Sequence, residues 1–532
     1  MVNFIAALPG KLRRHAPRSL TPAASASIAA RGPELLLVGF AYLVVALLVR
    51  GGTLGFPILH IDEQFYLLVG DRMLHGALPF VDIWDRKPVG LFLLYAAIRL
   101  LGGTGIVQYQ LVALGFAAAT SLVIYRIARE VASRPGAWWA GVAYQLYLSA
   151  YLCFGGQAPV FYNLLVALAG LGMLRIHTDR ERGRLFVHGL AVMALIGVAL
   201  QIKYTVVFEG LAFGLALIWR ARRIRWQPLA IVGAALAWSL MALVPTMTAW
   251  AYYAAIGQGP EFMQANFLSI FGRHEDFSGS LFRLVKEMLA LTPAWVAIFW
   301  VPRYLPPPRA TMRPALNFLR YWGVAAMLGF LLFGTWYDHY VAPLLVPVMA
   351  LSAPALGRGK PLRWVTTFMI TVAIIAAAVV TIINTRRHGT AEQVDRAAAM
   401  IRAAAGDGCL YINEGDPIFY HLTGACLATR YVFPNHLNGM VDVDALGVNA
   451  SVEVARIMAS HPRAVVMTVK PSSMPVNWQT RAMIFKDLAR DYNLYGMTTV
   501  GWRQLLIYRL KPAPSALPHP VTTPPSNQIA TR

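Results

Sequence analysis

The chain of 532 residues is 57% hydrophobic and only 14% charged, with a mean hydropathy of +0.52, a balance that excludes an ordinary soluble enzyme. Its formal net charge of +22 is carried in short basic clusters between apolar runs, which reads as a topology signal and argues against a nucleic-acid partner. Three cysteines are too few for a disulfide scaffold or a cysteine metal site.

Residues 1–33, rich in Ala, Pro, Ser and Arg, lack the apolar core of a signal peptide and read as a disordered cytosolic tail. Apolar runs near the 20 residues that a bilayer requires then recur along the chain, and placing Lys- and Arg-rich loops inside orients them. The first span, 34–49, exits. A run at 89–101, VGLFLLYAAIRLL, is too short to cross. Treated as a helix in the membrane interface, it lets 106–127 run inward and keeps Arg126, Arg129 and Arg134 inside. Residues 51–105 then form one external loop with two membrane-surface helices. Spans follow at 137–152, 160–174, 185–201, 205–219, 228–249, 288–302, 318–334, 340–356 and 365–383, about 11 crossings in all. The basic loops, including Arg180 and Arg303, fall inside.

The expected architecture is thus an all-α polytopic membrane protein, 34–384, followed by a small external α/β domain at 385–511 and a disordered tail at 512–532. GCLYIN, AVVMTV and RQLLIYRL read as strands, and VDRAAAMIRAAA and WQTRAMIFKDLARDY as helices. Cys409 and Cys426 share this domain. They either pair in an oxidising compartment, adding about 3 kcal/mol, or remain two buried thiols; Cys153 is expected unpaired. A second external loop, 250–287, carries the polar knot Arg273, His274, Glu275 and Asp276. It reads as a solvated turn, with a lid over the site as the alternative.

The chemistry-bearing stretch is 61–88, IDEQFYLLVGDRMLHGALPFVDIWDRKP, with acids at Asp62, Glu63, Asp71, Asp82 and Asp85. A partly desolvated carboxylate at Asp62-Glu63 can take a proton from a hydroxyl. Arg86 and Lys87, placed before Pro88 and the following helix, form a natural phosphate site; an interface anchor is the bland alternative. Lys203, near the end of a span, either binds a ligand or snorkels to the surface. His339 and Tyr340 stand at the mouth of a helix. No residue spacing gives a dedicated metal cage, although Asp62 and Glu63 could share a divalent ion with a phosphate. The glycines at 102–105 open no nucleotide-binding helix.

Asp62-Glu63 after the first span, Gly76-Ala77-Leu78-Pro79 closing an aromatic helix, and Lys87-Pro88 opening a short apolar one form an ordered pattern. With Gln201-Ile202-Lys203-Tyr204 and Tyr337 to Pro347, it resembles the GT-C glycosyltransferases, specifically the aminoarabinose transferases of lipid A and the protein O-mannosyltransferases. The chain differs in having Arg86 where Glu often precedes the Lys, and Val89 where a second Pro is usual. The resemblance implies a polyprenyl-phosphate-linked sugar donor and an acceptor hydroxyl on a glycolipid, glycan or protein. It implies Asp62 as catalytic base with Glu63 beside it and Asp85 in the place of the missing acid. Lys87, Arg86 and Lys203 would hold the donor phosphate, with His339 and Tyr340 as further contacts. The implied setting is the outer, periplasmic face of a bacterial cytoplasmic membrane, with the N-terminus inside. The rival readings are a transporter or flippase of a lipid-linked saccharide, which would place its charges near the bilayer midplane, and a non-catalytic assembly protein that binds through the external domain.

Overall fold

The computed structural model describes residues 32–176, 181–274, 277–332, 334–471 and 475–512. The expected tails lie almost wholly outside these, as do Arg180, Glu275 and Asp276.

The apolar runs form the helices that their length and composition dictate. α1 (Gly32–Arg50) is followed by α2 (Ile61–Met73), α3 (Val89–Arg99), α4 (Ile106–Ala128), α5 (Arg134–Ala150), α6 (Ala158–Ile176), α7 (Arg182–Leu200), α8 (Val207–Arg223) and α9 (Pro228–Ala255). α10 (Phe277–Ala290), α11 (Arg313–Leu332), α12 (Ala342–Ser352) and α13 (Arg363–His388) complete the bundle. Among the described residues, eight helices are long and apolar enough to cross a membrane. The pair Gly279–Ala290 and Thr292–Tyr304, bent by 54°, would make nine if it forms one span. Two expected crossings are shorter: α5 has 17 residues and α12 has 11. The run at 89–101 is a short apolar helix, α3, of 11 residues.

Polar side chains tie the bundle together where lipid offers them no partner. The Tyr42 hydroxyl of α1 donates to the Trp138 carbonyl of α5 (2.9 Å), and the Gln145 amide of α5 donates back to the Tyr42 carbonyl (3.0 Å). Asn163 of α6 donates to the Ala342 carbonyl at the start of α12 (2.9 Å).

α13 ends at Gly389, whose φ of 98° suits a glycine. A Thr390–Gln393 capping box then starts α14 (Ala391–Ala405). Beyond it lies a sheet of order β2-β1-β3-β5-β4. β1 (Cys409–Ile412) pairs in parallel with β2 (Cys426–Leu427) and β3 (Ala464–Thr468); β5 (Arg503–Leu510) runs antiparallel to β3 and to β4 (Tyr492–Val500). The three expected strands and both expected helices are present, the second as α15 (Trp478–Asp491). Cys409 and Cys426 are opposite one another on β1 and β2 and form a disulfide; Cys153 is a free, buried thiol.

This sheet domain packs on the loop between α1 and α4. The Gln64 amide donates to Asp416 (3.2 Å), Arg72 to the Ala425 carbonyl (2.7 Å), and the Trp84 amide to the Arg430 carbonyl (2.9 Å). Asn384, near the end of α13, donates to the Leu59 carbonyl just before α2 (3.0 Å). The loop and the domain therefore occupy the same end of the helical bundle.

Candidate active site

The five acids of 61–88 have separate destinations. Asp71 is held by Arg99 of α3 at 2.8 Å and lies 3.4 Å from His421 of the sheet domain. Asp82 accepts from the Leu78 amide at 2.7 Å and closes the turn after α2. Both are structural. Asp62, Glu63 and Asp85 remain.

Asp62 occupies the first turn of α2, where the exposed amides and the helix dipole favour a carboxylate. His60 caps that turn by accepting from the Asp62 amide at 3.2 Å, and the Gln157 amide reaches both the His60 ring (2.5 Å) and Asp62 (3.3 Å). The Lys87 ammonium stands 3.5 Å from Asp62 and 3.3 Å from Asp85. Asp85, almost fully buried, also accepts from the Lys87 backbone amide at 2.8 Å. It therefore fixes Lys87 at both its backbone and its tip. Phe65, Tyr66 and Phe433 surround the ammonium, with ring centroids 5.3–6.0 Å away.

Burial alone would raise the Asp62 carboxyl. The Lys87 charge, aided by His60, His339 and Lys203, outweighs it and holds Asp62 well below the usual carboxylate range. Lys87 is pushed the other way: burial would lower it, but Asp85 and Asp62 keep it charged. Burial, followed by the charge of Lys203, depresses His339, so its imidazole is neutral near pH 7.

Glu63, one residue on, points elsewhere. It is fully buried, and a Cβ at Gly155 would come within 2.3 Å of its carboxyl and force that carboxyl to shift. Burial lifts Glu63 to about 8, against weaker opposing contributions from Gly156, Tyr109 and Arg50. It is a protonated neighbour beneath the site, and it does not face the space beside Asp62.

Lys203 is brought in by α3. The Leu91 amide donates to the Gln201 carbonyl (2.9 Å), and a Cβ at Gly90 would meet Gln201 at 2.5 Å. That close seat places the turn after α7 beside the start of α3. The Lys203 ammonium lies over the Tyr340 ring at 4.5 Å, and His339 packs edge-on against both Tyr340 (4.7 Å) and His60 (5.4 Å). Lys203, His339 and Tyr340 thus gather with Asp62 and Lys87.

Arg86 is committed differently from its expected role. It makes two hydrogen bonds to Asp442 of the sheet domain, at 2.8 and 3.2 Å. Arg273 of the second loop reaches the same carboxylate at 3.1 Å, and His274 pairs with Asp444 at 2.6 Å. The knot at Arg273-His274 is therefore a contact with the sheet domain, where a solvated turn was expected. Arg283 adds a further cation over Tyr337 at 4.9 Å. Among the described residues no group of three or more His, Cys, Asp or Glu could hold a metal ion.

Sequence comparison matches residues 85–250 to the family described as dolichyl-phosphate-mannose-protein mannosyltransferase. No curated protein matches the chain by sequence. Among solved structures, ArnT from Cupriavidus metallidurans bound to undecaprenyl phosphate is 15% identical and covers 91% of this chain and 98% of its own, with a TM-score of 0.58. Its apo form scores 0.59 at 16% identity, over 90% and 98% of the two chains. The archaeal oligosaccharyltransferase AglB from Archaeoglobus fulgidus, with an inhibitory peptide and a dolichol-phosphate, scores 0.50 at 12% identity over 81% and 69%. The chain has the GT-C glycosyltransferase fold.

Within this fold, the side chains that sequence reasoning missed are His60, Gln157 and Asp442. Gln157 and Asp442 act on residues 95 and 356 positions away. No local pattern marks such partners. His60 was open to detection, as a capping residue directly before the apolar-aromatic run.

Proposed function

We propose that the chain moves a sugar from a polyprenyl-phosphate donor to the hydroxyl of a cell-envelope acceptor (glycolipid, glycan or protein), with inversion at the anomeric carbon. The reaction takes place at the outer, periplasmic face of a bacterial cytoplasmic membrane. The observation that carries this reading is the pairing of Asp62 with Lys87 at 3.5 Å. One group can accept a proton and the other can hold a phosphate, in a chain with the GT-C fold. The undecaprenyl phosphate and dolichol-phosphate bound to ArnT and AglB support the donor class.

The acceptor oxygen attacks the anomeric carbon while its proton passes to Asp62. The bond from that carbon to the phosphate oxygen breaks, and the electron pair leaves with the polyprenyl phosphate. Lys87 and Lys203 stabilise the departing charge, joined by Arg86 or Arg273 if Asp442 yields one of them. In the free site, Lys87 keeps Asp62 a weak base. A phosphate drawn to Lys87 and Lys203 offsets their field at Asp62, so donor binding raises the basicity that the transfer needs. Asp85 positions Lys87, and Glu63 supports the first turn of α2 from below.

The test is sugar transfer from a polyprenyl-phosphate sugar by wild type and by Asp62→Asn. Loss of a general base lowers the rate by roughly 10²- to 10⁴-fold. Wild-type activity in a folded Asp62→Asn protein that still binds donor would overturn the assignment.

A further inference from the structure

A largely apolar, open groove lies at the end of α13 opposite to the site. α13 spans 26 residues, about 39 Å at 1.5 Å per residue. Its far end, at Asn384, bonds to Leu59 beside α2. Its near end opens into a groove of about 650 Å³ lined by Lys360, Arg363, Trp364, Thr367, Phe368 and Val372. Trp364, Phe368 and Val372 are spaced by four residues and form one stripe along the helix.

Three features converge at the head of this stripe. Lys360 and Arg363 are exposed, and neither forms an ion pair among the described residues. The N-terminus of α13 has no side-chain cap at Leu362, which leaves the positive end of its dipole beside Arg363. Trp300 packs edge-on against Trp364 (5.8 Å) and Tyr304 against Trp300 (5.1 Å), an aromatic cluster of the kind that sits at headgroup level. Two cations and a helix N-terminus call for an anion, and the apolar stripe below them calls for an acyl chain.

We propose that this groove binds an anionic phospholipid, its phosphate held by Lys360 and Arg363 at the head of α13, and one chain lying along Trp364, Phe368 and Val372. The site is at the other end of the bundle from Asp62 and is independent of the transfer chemistry. Neutral phospholipid lacks the net charge that the two cations select, so the groove discriminates by headgroup.

The experiment is native mass spectrometry of the full-length protein released from nanodiscs of phosphatidylcholine with graded phosphatidylglycerol. Wild type is expected to retain one phosphatidylglycerol in preference to phosphatidylcholine. The Lys360→Gln/Arg363→Gln variant is expected to weaken that retention by about 25-fold, about fivefold per cation at a membrane surface. Thermal unfolding in phosphatidylcholine alone should be the same for both proteins, which separates lipid binding from misfolding. Unchanged retention in the variant would overturn the proposal. So would equal retention of both lipids by wild type.

Discussion

Lys87 is the most informative single position, because it is shared by Asp62 at 3.5 Å and Asp85 at 3.3 Å. At an effective dielectric constant of about 20, each attraction is worth about 5 kcal/mol before desolvation. Replacing it by glutamine keeps a polar side chain, one atom shorter, but leaves two carboxylates facing one another. Their mutual repulsion and burial then raise Asp62, which Lys87 now holds low. The sign follows directly. A depressed carboxyl keeps its charge above its folded pKa, so wild-type activity should show no acid limb in the mildly acid range. In Lys87→Gln the limb should move upward, past the ordinary aspartate value of about 4. The variant also loses a charge-assisted contact to the donor phosphate, worth about 1.5–3 kcal/mol, or roughly 10- to 150-fold in kcat/KM. The assay is transfer from a polyprenyl-phosphate sugar, followed from pH 4 to pH 9. A value of kcat/KM within about threefold of wild type, together with an unmoved acid limb, would refute the reasoning.

Other positions carry their own expectations. Glu63 is lifted to about 8 by burial, so between its unfolded value near 4.3 and pH 8 the folded state binds the extra proton and stability falls as pH rises. Glu63→Gln should therefore unfold at a higher temperature than wild type at pH 8 and at a similar one at pH 5; parallel curves at both values would contradict the burial argument. Asp442→Ala strands Arg86 and Arg273, at a cost of about 2–3 kcal/mol, and should increase protease cleavage in the second loop and at Arg86; an unchanged digest would show that the junction is dispensable. Cys409 and Cys426 close a loop with a separation of 17, so replacing both with serine should lower stability by about 3 kcal/mol, and thiol counting on non-reduced protein should find only Cys153.

The bundle was legible because apolar length and basic loops follow from the bilayer alone. The short run 89–101 was readable as a short apolar helix for the same reason. Asp62 and Lys87 could be found because each stands at a helix start, where sequence spacing limits where a side chain can go. The pairing of Arg86 was hidden because its partner, Asp442, is 356 positions away, and no spacing rule connects them. β4 (Tyr492–Val500) escaped because most of its residues are exposed or half-buried and Gly496 interrupts it, so it has no apolar alternation to read. The crossing expected at 288–302 was read as one straight span, with 279–287 left in the loop; the structure has instead a bent helix pair over 279–304. Its break falls at Leu291, between Ala290 and Thr292, where the apolar pattern continues unbroken.

The grip of the sheet domain on the loop that holds the proposed base has a consequence for the order of events in the cell. Gln64, two residues from the proposed base, is fastened to Asp416, which the ribosome adds 352 residues later. Arg86 waits still longer for Asp442. While the chain is being threaded into the membrane, Asp62 and Asp85 have already emerged, but the sheet-domain partners of their loop have not. The loop gains these contacts only when the later-made sheet domain has folded against it, so under the proposed function competence for transfer follows the synthesis of that domain.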